Sequence, residues 1–377
     1  MSTGLERSPP VPVADFHVHT TLKPYLFAGG LWRETRAPRR FSPFSFRSGL
    51  PALLRGGVRL AVVAHHVPEE ALFRDSFLAR AAGRLLSPTY PWLREGRPFA
   101  RLEEMLALLE WEAELAPGRV AVVRSPTALR RARESGRLAL VHAVEGAHVL
   151  EGDPERVDEL ADAGVATMSL AHLYPNDVAA GVDGVPDYPL VRALSRFRFD
   201  RGSIPPLTEL GREVVRRMTR AGMIVDVAHA APEARREILE EVGGRRPVVA
   251  SHVGLRALHD RDYNLSDGEV REIARTGGAV GVILMPFWLT GRRGDGLDAV
   301  WRTIRRVRYL TGSWRHVMIG SDFDGFTRPP REVPDAAHMG RLTRMLEERG
   351  VPPDGVRGIM GTNALRVLED AWRGAGG

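Results

Sequence analysis

The 377-residue sequence predicts an α/β fold, a TIM-type (β/α)8 barrel with helical and loop insertions. Three observations carry that expectation. Eight short apolar runs, most of them rich in β-branched residues, alternate with helical patterns. Runs without polar interruption are what strands buried on both faces look like, and the alternation calls for parallel pairing. No glycine-rich phosphate turn follows the first run, which argues against an open dinucleotide-binding sheet.

The first run, Val11-Pro-Val-Ala-Asp-Phe-His-Val-His-Thr20, sets Asp15, His17 and His19 on one strand face, since residues two apart share a face. A loop over 21–50 and a short helix over 50–55 precede the second strand, 59–66. Residues 67–137 form the longest insertion, with helical patterns at 69–86 and 99–115, an apolar run at 120–123 and an arginine-rich helix at 126–134. The rhythm is then regular: strand 138–145 and helix 154–163; strand 165–172 and a Pro/Gly/Asp loop, 174–205. A helix from 207 to 220 stops at Gly222. Strand 223–229 leads to helix 232–242, strand 247–252 to helix 266–276 capped near Ser266 or Asp267, and strand 279–285 to helix 297–310. The last strand, 316–322, is followed by helices near 335–349 and 356–372. The whole chain, 1–377, reads as one barrel domain with an insertion at 67–137, without solenoid repeats or a low-complexity linker.

Composition narrows the chemistry. Hydrophobic residues make up 44%, enough for a large core, and no apolar run approaches the roughly 20 residues of a membrane span. The first ten residues lack the apolar centre of a signal peptide and the last lack a lipid-anchor tail. A cytoplasmic protein with no membrane partner is the expectation. The chain has no cysteine, so a metal would be held by His, Asp or Glu. The net charge of +6 comes from scattered arginines mixed with glutamates (Lys23 is the only lysine), a pattern of solvated helix faces, and no nucleic-acid partner is expected.

In a barrel of this kind the active site lies at the C-terminal ends of the strands. Those ends carry His17 and His19, His65 and His66, Glu145, His172, His229, His252 and Asp322, so seven of the 12 histidines sit there. One such histidine is an ordinary rim residue; a ring of them can bind metal. Glu145 ends an apolar strand, where a carboxylate is costly to bury unless it meets cations. An oxygen for each of two metals would resolve that cost, and an arginine partner at the rim is the alternative. Asp322 ends its strand, while Asp324 belongs to a turn signal, Asp324-Gly325, and competes with it. His142, an odd number of residues from Glu145, should point outward to the helices. His148 falls in the loop, and His65 or His66 could contact substrate or simply pack.

Six motifs together resemble the membrane (renal) dipeptidase family of the metal-dependent amidohydrolase superfamily: Glu145-Gly-Ala-His148, Met168-Ser-Leu-Ala-His172, the stretch from Leu207-Thr-Glu-Leu-Gly to Val227-Ala-His229, Pro247-Val-Val-Ala-Ser-His252, Gly320-Ser-Asp-Phe-Asp-Gly325 and Gly361-Thr-Asn-Ala-Leu-Arg366. The resemblance runs from about 13 to 370 in the family's order. It implies two zinc ions, other divalent metals being compatible. Glu145 would bridge them, with His17 and His19 on one and His229 and His252 on the other. Asp322 would be the acid/base, and His172 would bind the substrate carbonyl and steady its oxygen. Two departures stand out. His17-Val-His19 replaces the family's His-x-Asp. The family's Arg-Asn pair, whose arginine grips the substrate carboxylate, reads Tyr263-Asn264, leaving Arg261 or Tyr263 as candidate substrate contacts, and Met285-Pro-Phe-Trp288 lacks a tyrosine found in the family.

The expected function is zinc-dependent hydrolysis of the peptide bond of dipeptides or related small amides by a metal-bridging hydroxide. The partner would be a small dipeptide-like substrate, with homodimerisation left open and loops 21–50 and 174–205 covering the site. A lactone or phosphoester hydrolase on the same two-metal barrel is one alternative; a binding protein with a decayed site is another.

Overall fold

The computed structural model describes residues 12–34, 42, 44–185, 195 and 204–373. The parts of the two expected covering loops at 35–41, 43, 186–194 and 196–203 lie outside the described residues, as do 1–11 and 374–377. The strands are, in chain order, β1 (Val13–Val18), β2 (Val58–His65), β3 (Val120–Val122), β4 (Leu138–Glu145), β5 (Val165–Ser169), β6 (Ile224–Asp226), β7 (Val248–Val253), β8 (Ala279–Ile283) and β9 (Val317–Gly320). Eight of them pair in parallel in the order β1-β2-β4-β5-β6-β7-β8-β9. The ring is drawn together where the His17 carbonyl accepts from the Asp322 N–H and the Phe323 carbonyl from the His19 N–H, each at 2.9 Å.

The run at 120–123, left outside the eight expected strands, forms β3. It pairs with β4 at Leu138 and Leu140, on the edge that β5 occupies from His142 onward. One apolar cluster takes a residue from every strand of the ring: Phe16, Val62, Val141, Ala166, Ile224, Val249, Ala279 and Met318 among them. A filled interior of this kind is what makes such a barrel a core and not a pore. On β4, Ala139, Val141 and Ala143 share a face with Glu145, so the carboxylate tops the apolar stack.

The helices are α1 (Leu22–Phe27), α2 (Leu50–Arg55), α3 (Glu70–Asp75), α4 (Phe77–Leu86), α5 (Tyr90–Leu93), α6 (Pro98–Glu114), α7 (Pro126–Glu134), α8 (Arg156–Asp162), α9 (Glu209–Ala221), α10 (Pro232–Val242), α11 (Asp267–Arg275), α12 (Pro286–Thr290), α13 (Gly296–Thr311), α14 (Gly340–Glu348), α15 (Pro353–Arg357) and α16 (Asn363–Trp372). Their ends follow local chemistry. Ser266 caps α11 in a capping box with Glu269, and Gly222 closes α9 in the left-handed conformation at φ 74°. The helix expected over 69–86 is broken, because Ser76 turns extended and its hydroxyl caps α4 by accepting from the Ala79 N–H. Helices α1, α5 and α12 fall where no helix is expected from the sequence. Among the described residues no helix is long and apolar enough to cross a membrane.

Candidate metal centre

The centre is built around Glu145, which is 2% exposed. Four histidine Nε2 atoms converge on its carboxylate. Those of His17, His229 and His252 lie 3.3, 3.3 and 3.4 Å from Oε1, and that of His19 lies 3.4 Å from Oε2. Asp322 closes the group, its Oδ1 3.2 Å from His19 Nε2. Four overlapping groups of metal-ligating spacing result among the described residues: His17–His19–Asp322, Glu145–His229–His252, His66–Glu145–His172 and His17–Asp226–His252.

Strand alternation alone does not produce this set. His252 lies on β7, but His172, His229 and Asp322 stand two or three residues beyond the last paired residues of β5, β6 and β9. His229 and Asp322 reach back into the mouth through left-handed backbone, at φ 62° and 56°, a conformation uncommon for non-glycine residues. Gly146 turns the chain directly after Glu145 at φ 97°. Gly325 has no alternative residue, since a Cβ there would stand 2.0 Å from Asp322 Oδ1. One layer lower, Asp15 accepts from the Ser321 and His17 N–H groups, and Asp226 accepts from those of Ala228 and Ser251. These carboxylates tie β1 to β9 and β6 to β7 and so fix the spacing of the histidines above. Burial pushes the Asp15 carboxyl up to about 6 and raises that of Asp226 as well.

The donor set fits a divalent cation. Ser251 Oγ lies 3.2 Å from His17 Nδ1 and 2.8 Å from His252 Nδ1. A tautomer with the Nδ1 protons directed to that hydroxyl would free both Nε2 atoms to act as ligands. His229 Nε2 also lies 2.8 Å from His252 Nε2, and His17 Nε2 3.2 Å from His19 Nε2. Acceptors packed this closely in a dry site need positive charge. Burial opposes the charge on His17, yet Glu145 carries its pKa above the ordinary value, whereas burial and the His17 charge hold His252 well below. Imidazole and carboxylate with no thiolate is a donor set suited to zinc.

A second group flanks the first. Glu69, at the N-cap of α3, is 8% exposed; its Oε1 accepts from His172 Nδ1 at 3.0 Å and from the Leu173 N–H at 3.2 Å. His172 Nε2 is thereby aimed at Glu145 Oε2, 3.6 Å away. Burial works against a charged His172, but Glu69 and then Glu145 more than offset it and raise its pKa to about 9. The His66 ring lies 4.0 Å from that of His172, and burial together with the His172 charge lowers it to about 3. Of the two rings, His172 is therefore the one that holds a proton more readily. His66 Nδ1 meets the Glu145 carbonyl at 3.2 Å.

Other sequence expectations are placed as follows. His65 turns away from the centre to Thr21 and His142, and His142 reaches outward to Glu110 on α6. His148 donates to the Val67 carbonyl. Asp324 is fully committed to structure: it pairs with Lys23 Nζ at 3.0 Å and accepts from the Arg47 and Ser48 N–H groups and the Ser48 hydroxyl. Tyr263 stacks on Trp288 at 4.2 Å, and Trp288 is the ring that meets His229, edge-on at 5.8 Å. Arg261 is exposed. Asn264 clamps that loop by accepting from the Gly254 N–H and donating to the His259 and Trp288 carbonyls. Sequence reasoning missed Glu69, whose Val-Pro-Glu-Glu context reads as a helix start, and undervalued His66, which shares a strand face with Leu60 and Val62.

The profile of the family described as membrane dipeptidase (peptidase family M19) matches residues 27–374. An uncharacterized dipeptidase of Schizosaccharomyces pombe is 32% identical over 226 residues, 59% of this chain but only 51% of that protein, so the chain spans about half the length of that relative. An uncharacterized protein of the pqqA 5' region of Klebsiella pneumoniae is 30% identical over 283 residues, covering 74% of this chain and 98% of the relative. Among solved structures, a metallopeptidase of Rhodobacter sphaeroides bound to a phosphinate mimic of the dipeptide L-Ala-D-Ala superposes with a TM-score of 0.73, over 96% of this chain and 99% of that one, at 21% identity. At that identity the likeness concerns the fold.

Two outcomes test the centre itself. Glu145→Gln should lose at least one metal ion by elemental analysis of the purified protein; full metal content in that variant would remove Glu145 from the bridging position. Glu69→Gln should keep the metal and lower turnover about 10- to 100-fold, the usual effect of removing a partner that orients a site residue. Unchanged turnover would make Glu69 a packing residue only.

Proposed function

We propose, from the premise that the chain belongs to the membrane dipeptidase family, that it is a metal-dependent hydrolase cleaving the peptide bond of dipeptides or related small amides. Two zinc ions would be held by His17 and His19 on one side and His229 and His252 on the other, with Glu145 between. The observation that carries this reading is the convergence of four Nε2 atoms on one buried carboxylate. A structural role for such a cluster would be costly, because a carboxylate and its ring of imidazoles must be taken out of water together and each buried polar group needs a partner.

Bound zinc would supply Lewis acidity, making a water acidic near neutral pH and polarising the scissile carbonyl. The chain's own residues do the rest. Asp322, within reach of His19, takes the proton of the attacking water on its carboxylate and delivers it to the leaving amine. His172, held as an imidazolium by Glu69, donates from Nε2 to the oxygen on which negative charge grows. The stacked Tyr263 and Trp288 rings form an aromatic wall beside His229, a neutral surface for the substrate's far end. Arg261, being exposed, stands outside the site in this reading.

The two aspartates separate by what they do. Asp322→Asn should retain metal and lose turnover by roughly 10²-fold or more, the scale of an acid/base residue. Asp324→Asn should instead lose stability, by about 3 kcal/mol or more in urea unfolding, because Lys23 is left buried without its partner. The reverse pattern would move the acid/base role to Asp324.

Specificity gives a further test. Comparing kcat/KM for a dipeptide and its C-terminal amide, in the native chain and in Arg261→Ala, should show less than about threefold effect of the substitution on either substrate. A tenfold or greater loss confined to the free acid, the range of a charge-assisted bond to a carboxylate, would return the gripping role to Arg261.

A further inference from the structure

Helix α4 is inverted for a helix that packs on a core. Its sequence, Phe-Leu-Ala-Arg-Ala-Ala-Gly-Arg-Leu-Leu, places Phe77, Leu78, Ala81, Ala82, Leu85 and Leu86 on one face at 3.6 residues per turn. That face is turned outward: Phe77 is 61%, Leu85 82% and Leu86 51% exposed, and Gly83 is the one buried residue of the helix. Gly83 explains the inversion, because it seats the helix on the Tyr90 ring, where a Cβ would come within 2.3 Å. Helix α5 extends the exposed surface with Trp92. Four of the eight large hydrophobic side chains exposed among the described residues thus lie between 77 and 92. Single exposed apolar residues are ordinary, but a concentration of them marks a contact surface.

The same stretch is basic. Residues 74–97 hold five arginines against two acids, Asp75 and Glu95. Arg74, Arg80, Arg84 and Arg94 ring an open cavity of about 350 Å³ floored by Phe73 and Tyr90, with Glu70 its one acid. Tyr90 is 6% exposed, and its hydroxyl has no hydrogen-bond partner among the described residues. Guanidinium forks suit phosphate oxygens, and a buried hydroxyl without a partner leaves a bond for an incoming acceptor to make.

We propose that α4 and α5 form a docking face for an anionic phospholipid surface. The headgroup phosphate enters the arginine cavity, and Phe77, Leu85, Leu86 and Trp92 enter the acyl boundary. Leucine and aromatic side chains on one face with arginine beside them characterise helices that lie in the membrane interface, and tryptophan favours the headgroup level. A second copy of the chain is the rival occupant. Charge decides against it, since a two-fold contact sets the basic face against itself, whereas an anionic bilayer complements it. Surface docking needs no spanning helix, so it departs from the sequence expectation of no membrane partner without requiring a span. Helix α3 joins the face to the metal centre, with Glu69 at its N-cap and Arg74 in its last turn.

Sedimentation of the full chain with phosphatidylcholine vesicles, with and without phosphatidylglycerol, tests the proposal. The chain should pellet with the anionic vesicles, weakly or not at all with the neutral ones, and added salt should release it. Arg80→Glu and Arg84→Glu should each weaken binding about fivefold or more, the scale of one basic residue at an anionic membrane. Leu85→Ser should weaken it too, with the thermal unfolding midpoint of every variant unchanged. The salt titration on the unaltered chain keeps the test independent of the variants. Equal binding to both vesicle types, or none to either, overturns the proposal. So does a solution dimer that Leu85→Glu dissociates, which would give the face to a second copy.

Discussion

The Glu145 carboxylate at the closed end of an apolar strand is the constraint from which the rest of this molecule follows. Removing a carboxylate from water costs several kcal/mol even after relaxation, unless positive charge meets it. Here the offset comes from outside β4. Five neighbouring elements send a histidine toward Glu145, and those of His172, His19 and His17 hold its carboxyl well below the usual range against the opposing effect of burial. A parallel barrel is the architecture that makes this convergence cheap, because each strand ends at the same mouth. The apolar stack beneath, with Ala139, Val141 and Ala143 on the face of Glu145, sets the height at which the carboxylate emerges.

Around that point the polar groups sort into layers with separate tasks. Asp15 and Asp226, both buried, bind backbone N–H groups of neighbouring strand ends and hold the histidines apart at fixed spacing. Asp324 anchors residues 47 and 48 to the turn after β9 by accepting from their N–H groups, and it also pairs with Lys23, itself 1% exposed and carried below its ordinary pKa by burial. Asp322, in contrast, turns its carboxylate toward His19. Within the run Asp322-Phe-Asp324 one carboxylate thus faces the histidine cluster and the other holds neighbouring backbone, both residues standing in left-handed backbone.

Much of this was legible in the sequence, for definite reasons. Strands buried on both faces leave long apolar runs, and β2, β4, β7 and β8 were found within a few residues. The histidines of the candidate centre stand out because they interrupt such runs at their ends. Alternation on β4 correctly sent His142 outward and Glu145 inward. What failed was whatever depends on long-range contact. Lys23, the only lysine, looked unremarkable because its partner is 301 residues away. Glu69 read as the first turn of a helix because its target, His172, lies 103 residues on. Strands β5, β6 and β9 end earlier than the apolar pattern suggests, since the residues beyond them leave the ladder to turn into the mouth. The break between α3 and α4 rests on a single extended residue, Ser76, which periodicity cannot register.

If the strand ends assemble one two-metal site bridged by Glu145, anomalous diffraction at the zinc absorption edge, from crystals of the zinc-loaded chain, should show two peaks. They should lie about 3.5–4 Å apart, the usual two-metal spacing, flanking the Glu145 carboxylate, one beside His17 and His19 and the other beside His229 and His252. A single peak, or one seated among His66, His172 and Glu69 instead, would contradict that assembly.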